Sequence, residues 1–116
     1  SKINFTFTPH IIPMFRGILS TIYLDLKPGT TLNNVQKILK KFYKKNKFVN
    51  IKSVNSFLST NEVMNTNYCF ISVCKTKFKD KIVILSVIDN LIKGGAGQAV
   101  QNMNLKFGYK ISKGLL

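Results

Sequence analysis

The chain has 116 residues, of which 45% are apolar, so it can form one small domain with a modest core and is not a disordered segment. No apolar run reaches the roughly 18 residues of a membrane-spanning helix, and the first ten residues lack the apolar core of a secretory signal. We therefore expect no membrane partner and a cytoplasmic location.

The formal net charge of +14 raises the question of nucleic-acid binding. All basic residues except Arg16 are lysines, whereas bases and phosphates are often held by the planar, bidentate guanidinium of arginine. Asparagine and isoleucine are also abundant. A joint excess of lysine, asparagine and isoleucine indicates a genome whose base composition favours these residues, not selection for a basic surface. We interpret the lysines as a solvated surface and disfavour a nucleic-acid partner. A basic nucleic-acid-binding or dimerisation module is kept as an alternative.

The first third of the chain predicts two strands and a turn. Ile3 to Phe7 fits a short strand ended by prolines, and GILSTIYLDL alternates like a second strand, stopped by Pro28-Gly29. One face of the second strand is apolar except for Ser20; it comprises Ile18, Ser20, Ile22, Leu24 and Leu26.

A helix is predicted from Thr31 onward, with Thr30 or Thr31 as the N-cap. Its apolar residues recur at helical spacing: Leu32, Val35, Ile38, Leu39 and Phe42, with Tyr43 beside them.

The second half predicts more strands and a closing helix. Strands are expected at Phe48 to Val54, Cys69 to Lys75 and Lys81 to Ile88, the last two joined as a hairpin by KTKFKDK. A helix should follow from Leu91 to Phe107, with Gly108 as its C-cap glycine. Its apolar stripe comprises Ile92, Ala96, Ala99, Val100, Met103 and Phe107. This order predicts an α+β fold, an antiparallel or mixed sheet covered by helices.

The segment GGAG, residues 94–97, suggests a phosphate-binding loop at first sight. A P-loop needs Gly-Lys-Ser/Thr at its end, but Gln98 and Ala99 follow Gly97. The dinucleotide pattern G-x-G-x-x-G fails as well. Close packing of the helix start against another backbone or a flat ligand is the better interpretation.

The chemically reactive residues are few. Cys69 and Cys74 lie five residues apart in a predicted strand, so their side chains should point to opposite faces as reduced, buried thiols. With His10 as the single histidine, no metal site is expected.

Three segments carry a family resemblance: FTPHIIPMFRGILSTIY, TNYCFISV and IDNLIKGGAGQAVQNMNLKFG. They resemble the C-terminal part of N-acetyl-gamma-glutamyl-phosphate reductase, an enzyme of the semialdehyde dehydrogenase superfamily. The resemblance extends over essentially the whole chain, and the third segment is close to a family signature.

The resemblance implies a function in arginine biosynthesis. Enzymes of this family use NADP to interconvert N-acetylglutamyl phosphate and N-acetylglutamate 5-semialdehyde, releasing or taking up phosphate. A cysteine thiolate attacks the acyl phosphate, and a histidine handles protons. The family fold joins a dinucleotide domain to an α+β substrate and dimerisation domain, so a homo-oligomer is also implied.

The resemblance does not extend to the catalytic residues. The family nucleophile lies in a P-G-C-[YF]-x-T motif and the histidine in H-R-H-x-P-E, and neither motif occurs here. Cys69 and His10 do not match those positions, so we assign no catalytic residue. Residues 1–116 are expected to form the C-terminal portion of the substrate and dimerisation domain, without the dinucleotide domain and inactive alone. The resemblance implies that residues 90–108 form the closing helix near the cofactor site.

The resemblance implies ligand-binding roles for a few residues. Asn90 is a candidate contact of the NADP nicotinamide, or alternatively an N-cap, and Gly94 and Gly95 would leave room for that ring. Arg16 is a candidate for the substrate carboxylate or phosphate, or alternatively for a structural salt bridge. Lys93 is assigned a surface role in preference to anion binding.

The same segments permit a second enzyme of this superfamily. An aspartate-semialdehyde dehydrogenase-like fragment is the alternative within the class. It is disfavoured because Ile18 stands where that family has histidine.

Overall fold

A computed structural model describes residues 4–115, which form four strands and two α-helices. The strands are β1 (Ile18–Asp25), β2 (Val49–Ile51), β3 (Cys69–Lys75) and β4 (Lys81–Ile88). The helices are α1 (Leu32–Tyr43) and α2 (Gly97–Lys106). A 3₁₀ turn covers Thr60–Glu62, and a π-helical turn, Ile92–Ala96, leads directly into α2.

The strands form one mixed sheet in the order β1-β4-β3-β2. β4 is antiparallel to both β1 and β3, whereas β2 is parallel to β3. The predicted α+β class with a mixed sheet is therefore confirmed. The hairpin of β3 and β4 has the predicted ends, because alternation and a polar turn are local signals.

The two faces of the sheet are covered by different parts of the chain. Ser72 Oγ donates to Ser53 O (3.3 Å) and Cys74 Sγ to Ser56 O (3.6 Å), so the segment after β2 lies on the face that Ser72 and Cys74 share. Helix α1 contacts β2 and β3. Because crossovers between parallel strands are right-handed as a rule, we infer that α1 lies on the opposite face.

The core is small and centred on β3 and β4. Its fully buried apolar residues are Phe48, Val63, Val73, Ile82 and Val87. Strand β1 is exposed along its whole length, on both faces. β1 is an edge strand of the sheet, and residues 4–115 leave its apolar side chains uncovered.

Helix α1 begins at the predicted threonine, but none of its residues is fully buried and part of its predicted stripe is exposed. Thr31 caps it: its Oγ1 accepts from Asn34 N (3.2 Å), and Asn34 Oδ1 accepts from Thr31 N (3.0 Å). Ile38 and Phe42 remain 63% and 73% exposed, which corrects the prediction for these two residues. Since α1 packs mainly against β2 and β3, the flank that carries Ile38 and Phe42 stays open to solvent in the described chain.

Helix α2 also differs from the predicted packing. Its buried residues are Gly97 and Asn104, whereas Ala96, Ala99, Met103 and Phe107 of the predicted apolar stripe are exposed. The prediction of a packed apolar stripe is therefore wrong for these four residues, and the buried positions of α2 are a glycine and an asparagine.

The end of α2 confirms the predicted glycine cap. Gly108 has φ +69°, Gly108 N donates to Leu105 O (3.4 Å) and Tyr109 N donates to Asn104 O (2.8 Å), which is a Schellman motif.

The beginning of the chain departs from its prediction. Residues 4–7 form no strand, and Ile3, where that strand was expected to start, lies outside the described residues. The strand predicted from Phe48 to Val54 is shorter, since β2 comprises Val49–Ile51.

Candidate functional site

The side chain of Asp89 is the centre of the polar cluster at the end of β4. It is 1% exposed, and each of its two carboxylate oxygens accepts two hydrogen bonds. Oδ1 accepts from the backbone N–H groups of Leu91 (2.9 Å) and Ile92 (3.2 Å). Oδ2 accepts from Asn65 N (2.8 Å) and Arg16 Nη1 (3.3 Å). A single carboxylate thus joins three separate segments of the chain.

The environment of Asp89 favours its ionised form. Burial raises the pKa of this carboxyl, but the backbone donors of Asn65, Leu91 and Ile92 and the Arg16 guanidinium outweigh burial and lower it below 3.8. The group is therefore an anion at neutral pH, and its charge is balanced by Arg16.

Arg16 is held at one nitrogen. Its Nη1 donates to Asn65 Oδ1 (3.0 Å) as well as to Asp89, and the Phe15 ring lies 5.3 Å from the guanidinium carbon. The structural salt bridge considered from the sequence is therefore present. The side chain is 20% exposed, and its Nη2 and Nε make no hydrogen bond to residues 4–115. A fork of N–H donors remains for an anion.

Asn90 is joined to the residue that follows Arg16. Its Oδ1 accepts from Gly17 N at 2.6 Å, so Arg16-Gly17 is linked to Asp89-Asn90 by two adjacent contacts. The N-cap alternative for Asn90 is wrong, because the carboxylate of Asp89 receives the N–H groups at the helix start. Asn90 Nδ2 makes no hydrogen bond within residues 4–115 and can still donate.

Gly94 and Gly95 lie beside Asn90 on the exposed side of the π-helical turn. A methyl group added at Gly94 would lie 3.7 Å from Asn90 Cβ, and one at Gly95 would lie 3.4 Å from Asn90 O. The fold therefore brings together the three residues predicted to contact NADP.

Gly97 has a different role from its neighbours. It is buried, and a methyl group there would lie 2.5 Å from Asn67 Oδ1 and 2.6 Å from Ile92 Cγ2. The close-packing interpretation of the glycines thus holds at this position. Gly94 and Gly95 make no comparably close approach.

Lys93 is turned toward the protein. Its Nζ donates to Gln101 Oε1 (2.8 Å) and lies 5.5 Å from the centre of the Phe48 ring. Gln101 Oε1 also accepts from Nδ2 of the buried Asn67 (2.9 Å). Burial lowers the pKa of Lys93. Lys93 thus lies at the surface, half-buried, and its amine also supports the packing of α2.

The histidine and the two cysteines of residues 4–115 lie outside this polar cluster. The exposed His10 contacts the Thr8 carbonyl, 3.2 Å away, and Cys69 and Cys74 are both unpaired, half-buried thiols. Residues 4–115 contain no cluster of three or more His, Cys, Asp or Glu side chains suited to a metal ion. None of their helices combines the length and apolar character needed to cross a bilayer.

The fold is a mixed sheet with the crossover helix α1, and the Asp89 carboxylate at the end of β4 joins Arg16 to the start of the last helix. A likeness to the crystal structure of aspartate semialdehyde dehydrogenase II from Vibrio cholerae has a TM-score of 0.62 at 18% identity, covering 85% of this chain and 30% of that one. The family model for the semialdehyde dehydrogenase dimerisation domain matches residues 1–90. The chain belongs to that family.

Similar curated proteins agree on one enzyme. N-acetyl-gamma-glutamyl-phosphate reductase of Clostridium botulinum strain Alaska E43 is 47% identical over 115 residues, 99% of this chain and 33% of the relative. The reductases of Staphylococcus saprophyticus and Vesicomyosocius okutanii are 44% and 48% identical, covering 34% and 32% of their lengths. The chain spans about a third of these relatives and resembles their C-terminal part.

Proposed function

We propose that this chain is the C-terminal part of an N-acetyl-gamma-glutamyl-phosphate reductase that uses NADP. The complete enzyme would reduce N-acetylglutamyl phosphate to N-acetylglutamate 5-semialdehyde in arginine biosynthesis. Identity of 44–48% along nearly the whole chain supports this enzyme over other semialdehyde dehydrogenases. Free Cys69 and Cys74 suit the reducing cytoplasm, where such an enzyme would work.

The observation that supports this proposal at the level of the site is a pair of adjacent hydrogen bonds. Arg16 donates to Asp89, and Gly17 N donates to Asn90. Arg16 would then bind the substrate, and Asn90 the cofactor, on neighbouring parts of one surface. The unused N–H groups of Arg16 match a carboxylate or phosphate, whose oxygens accept parallel hydrogen bonds.

The residues around Asn90 fit the nicotinamide end of NADP. Asn90 Nδ2 can donate to a carboxamide oxygen, and the exposed Gly94 and Gly95 place no side chain over the adjoining surface. When bound, NADP supplies the hydride. This chain orients the ring through Asn90 and holds the substrate anion through Arg16. The nucleophilic cysteine and the histidine that handles protons would belong to the rest of the enzyme, so we propose that the chain is inactive alone.

The direct test is an assay of the complete reductase that contains this chain. We expect phosphate-dependent reduction of NADP with N-acetylglutamate 5-semialdehyde, and no comparable rate with aspartate 4-semialdehyde or without phosphate. Faster turnover of aspartate semialdehyde would contradict the proposal and favour the alternative enzyme of this superfamily.

The cofactor surface has its own test in Gly94→Ala. The added methyl group makes only ordinary contacts with the protein, 3.5 Å or more away, so folding should be unaffected. It would project toward the proposed nicotinamide surface. We expect a higher KM for NADP without a fall in the melting temperature. A KM equal to that of the unmodified enzyme would exclude Gly94 from the cofactor surface.

A further inference from the structure

The two oxygens of the Asp89 carboxylate have separate functions. Oδ1 alone satisfies the helix start, by accepting from Leu91 N and Ile92 N. Capping a helix needs only one such acceptor, which asparagine or serine supplies equally well. The second oxygen, Oδ2, has no part in that cap. It binds Arg16 Nη1 and Asn65 N, which belong to two other segments.

The ion pair of Asp89 and Arg16 differs from the others in the described chain. Its carboxylate is wholly buried, whereas Glu62 and Asp25 meet their lysines at exposed positions. A buried charge is costly unless it is paired, so removing either partner affects the other strongly. Asn65 Oδ1 accepts from the same Nη1 and fixes it from a second direction. Only Nη2 and Nε of the guanidinium are left to meet a ligand.

We propose that Asp89 is a positioning residue for the substrate, acting through Arg16. Asp89 Oδ2 holds Arg16 Nη1 in place. The free atoms Nη2 and Nε are therefore presented in a fixed orientation to the carboxylate or phosphate of the substrate. This inference rests on the proposed function, in which Arg16 binds substrate. An oriented guanidinium binds an oxyanion better than a mobile one, because the side-chain entropy is lost before the ligand arrives.

The first experiment is Asp89→Asn in the complete reductase. The amide keeps an oxygen for the helix cap, but its NH₂ group would face two donors, Arg16 Nη1 and Asn65 N. We expect the KM for N-acetylglutamyl phosphate to rise about tenfold or more, the scale of one charge-assisted hydrogen bond. The KM for NADP should change much less. Glu62→Gln, which removes the exposed ion pair with Lys52, is the control and should leave both values unchanged.

A second variant, for use if Asp89→Asn folds poorly, tests whether substrate binding depends on Arg16 Nη1 being held in place. Asn65 has φ +61°, a conformation that glycine adopts freely, so Asn65→Gly keeps the backbone and its N–H to Asp89. It removes the side chain, and with it Oδ1, the second acceptor of Arg16 Nη1. We expect a smaller rise in the substrate KM, of a few fold, with the melting temperature near that of the unmodified enzyme.

Arg16→Gln separates this inference from the proposed function. A raised substrate KM in all three variants supports positioning by Asp89. A raised KM in Arg16→Gln alone overturns the positioning role and leaves Arg16 as a substrate ligand. An unchanged KM in Arg16→Gln overturns both, as does a complete enzyme without activity on the acyl phosphate. A purely structural Asp89 would lower the melting temperature of Asp89→Asn without moving the substrate KM.

Discussion

Gly97 is a buried residue of α2 that lies close to Asn67 and Ile92. In Gly97→Ala the new methyl group would lie 2.5 Å from Asn67 Oδ1 and 2.8 Å from Ile92 O, so the helix start must shift. We expect the free energy of unfolding to fall by about 1–3 kcal/mol, as for other overpacked sites. Urea denaturation followed by circular dichroism measures the change.

The matched control lies three residues earlier in the same glycine-rich segment. Gly94→Ala meets nothing closer than 3.5 Å and restricts the unfolded chain, so stability should be unchanged or rise by up to about 1 kcal/mol. Equal losses of stability in both variants would mean that Gly97 is not needed for close packing.

Asp89 should also give the chain an acid-sensitive stability. Its hydrogen bonds outweigh the effect of burial and hold its folded-state pKa below 3.8. A carboxyl with a lowered pKa stabilises the fold fully above its unfolded pKa of about 4, and this stabilisation is lost as the pH falls through the folded value. Unfolding free energies measured between about pH 5 and pH 2 should therefore fall less steeply in Asp89→Asn. Equal slopes for both proteins would contradict this assignment.

At the scale of elements, substitutions of two adjacent threonines, Thr30 and Thr31, test which of them is the N-cap of α1. Thr31 Oγ1 accepts from Asn34 N, whereas no side-chain hydrogen bond of Thr30 to the helix start is seen in residues 4–115. Thr31→Ala should lower the free energy of unfolding by about 1 kcal/mol, and Thr30→Ala should have a clearly smaller effect. Thermal unfolding of the two variants decides between them. A larger loss in Thr30→Ala would move the cap to Thr30.

The elements also show which information the sequence contains. The ends of β3 and β4 were predicted correctly, because alternation and the KTKFKDK turn lie within one hairpin. The contacts of Asn90 and Asp89 were not, because their partners Gly17 and Arg16 lie 73 residues away. Asp89 itself was missed as a site residue. An aspartate directly before a helix is a cap signal that could have indicated it.

The helix stripes show the limit of periodicity. Spacing identifies which apolar residues share one face of a helix, but not which surface, if any, covers that face. Met103 and Phe107 in α2, and Ile38 and Phe42 in α1, lie at helical spacing and yet are exposed. We expect these surfaces to be covered in a protein of its relatives' length, since this chain spans only about a third of them.

At the scale of the whole molecule, the exposed edge strand β1 predicts association of the chain when it is alone. Strands at an edge offer unpaired backbone groups, and apolar side chains on them favour pairing with another chain. Tyr23 is 75% exposed, and Ile18, Leu19, Ile22 and Leu24 are exposed beside it. We therefore expect the 116-residue chain to form dimers or larger species at micromolar concentration, measured by sedimentation velocity.

Two lysine substitutions locate the surface responsible for this association. Ile22→Lys puts a charge in the middle of β1 and should shift the chain toward monomer, because an inserted lysine blocks edge-to-edge pairing. Ile38→Lys changes an equally apolar, exposed residue on α1 and should leave the association unchanged if β1 is the contact. A monomeric Ile38→Lys and an associated Ile22→Lys would assign the contact to α1 instead. A chain that is monomeric without any substitution would show that its edge strand does not pair.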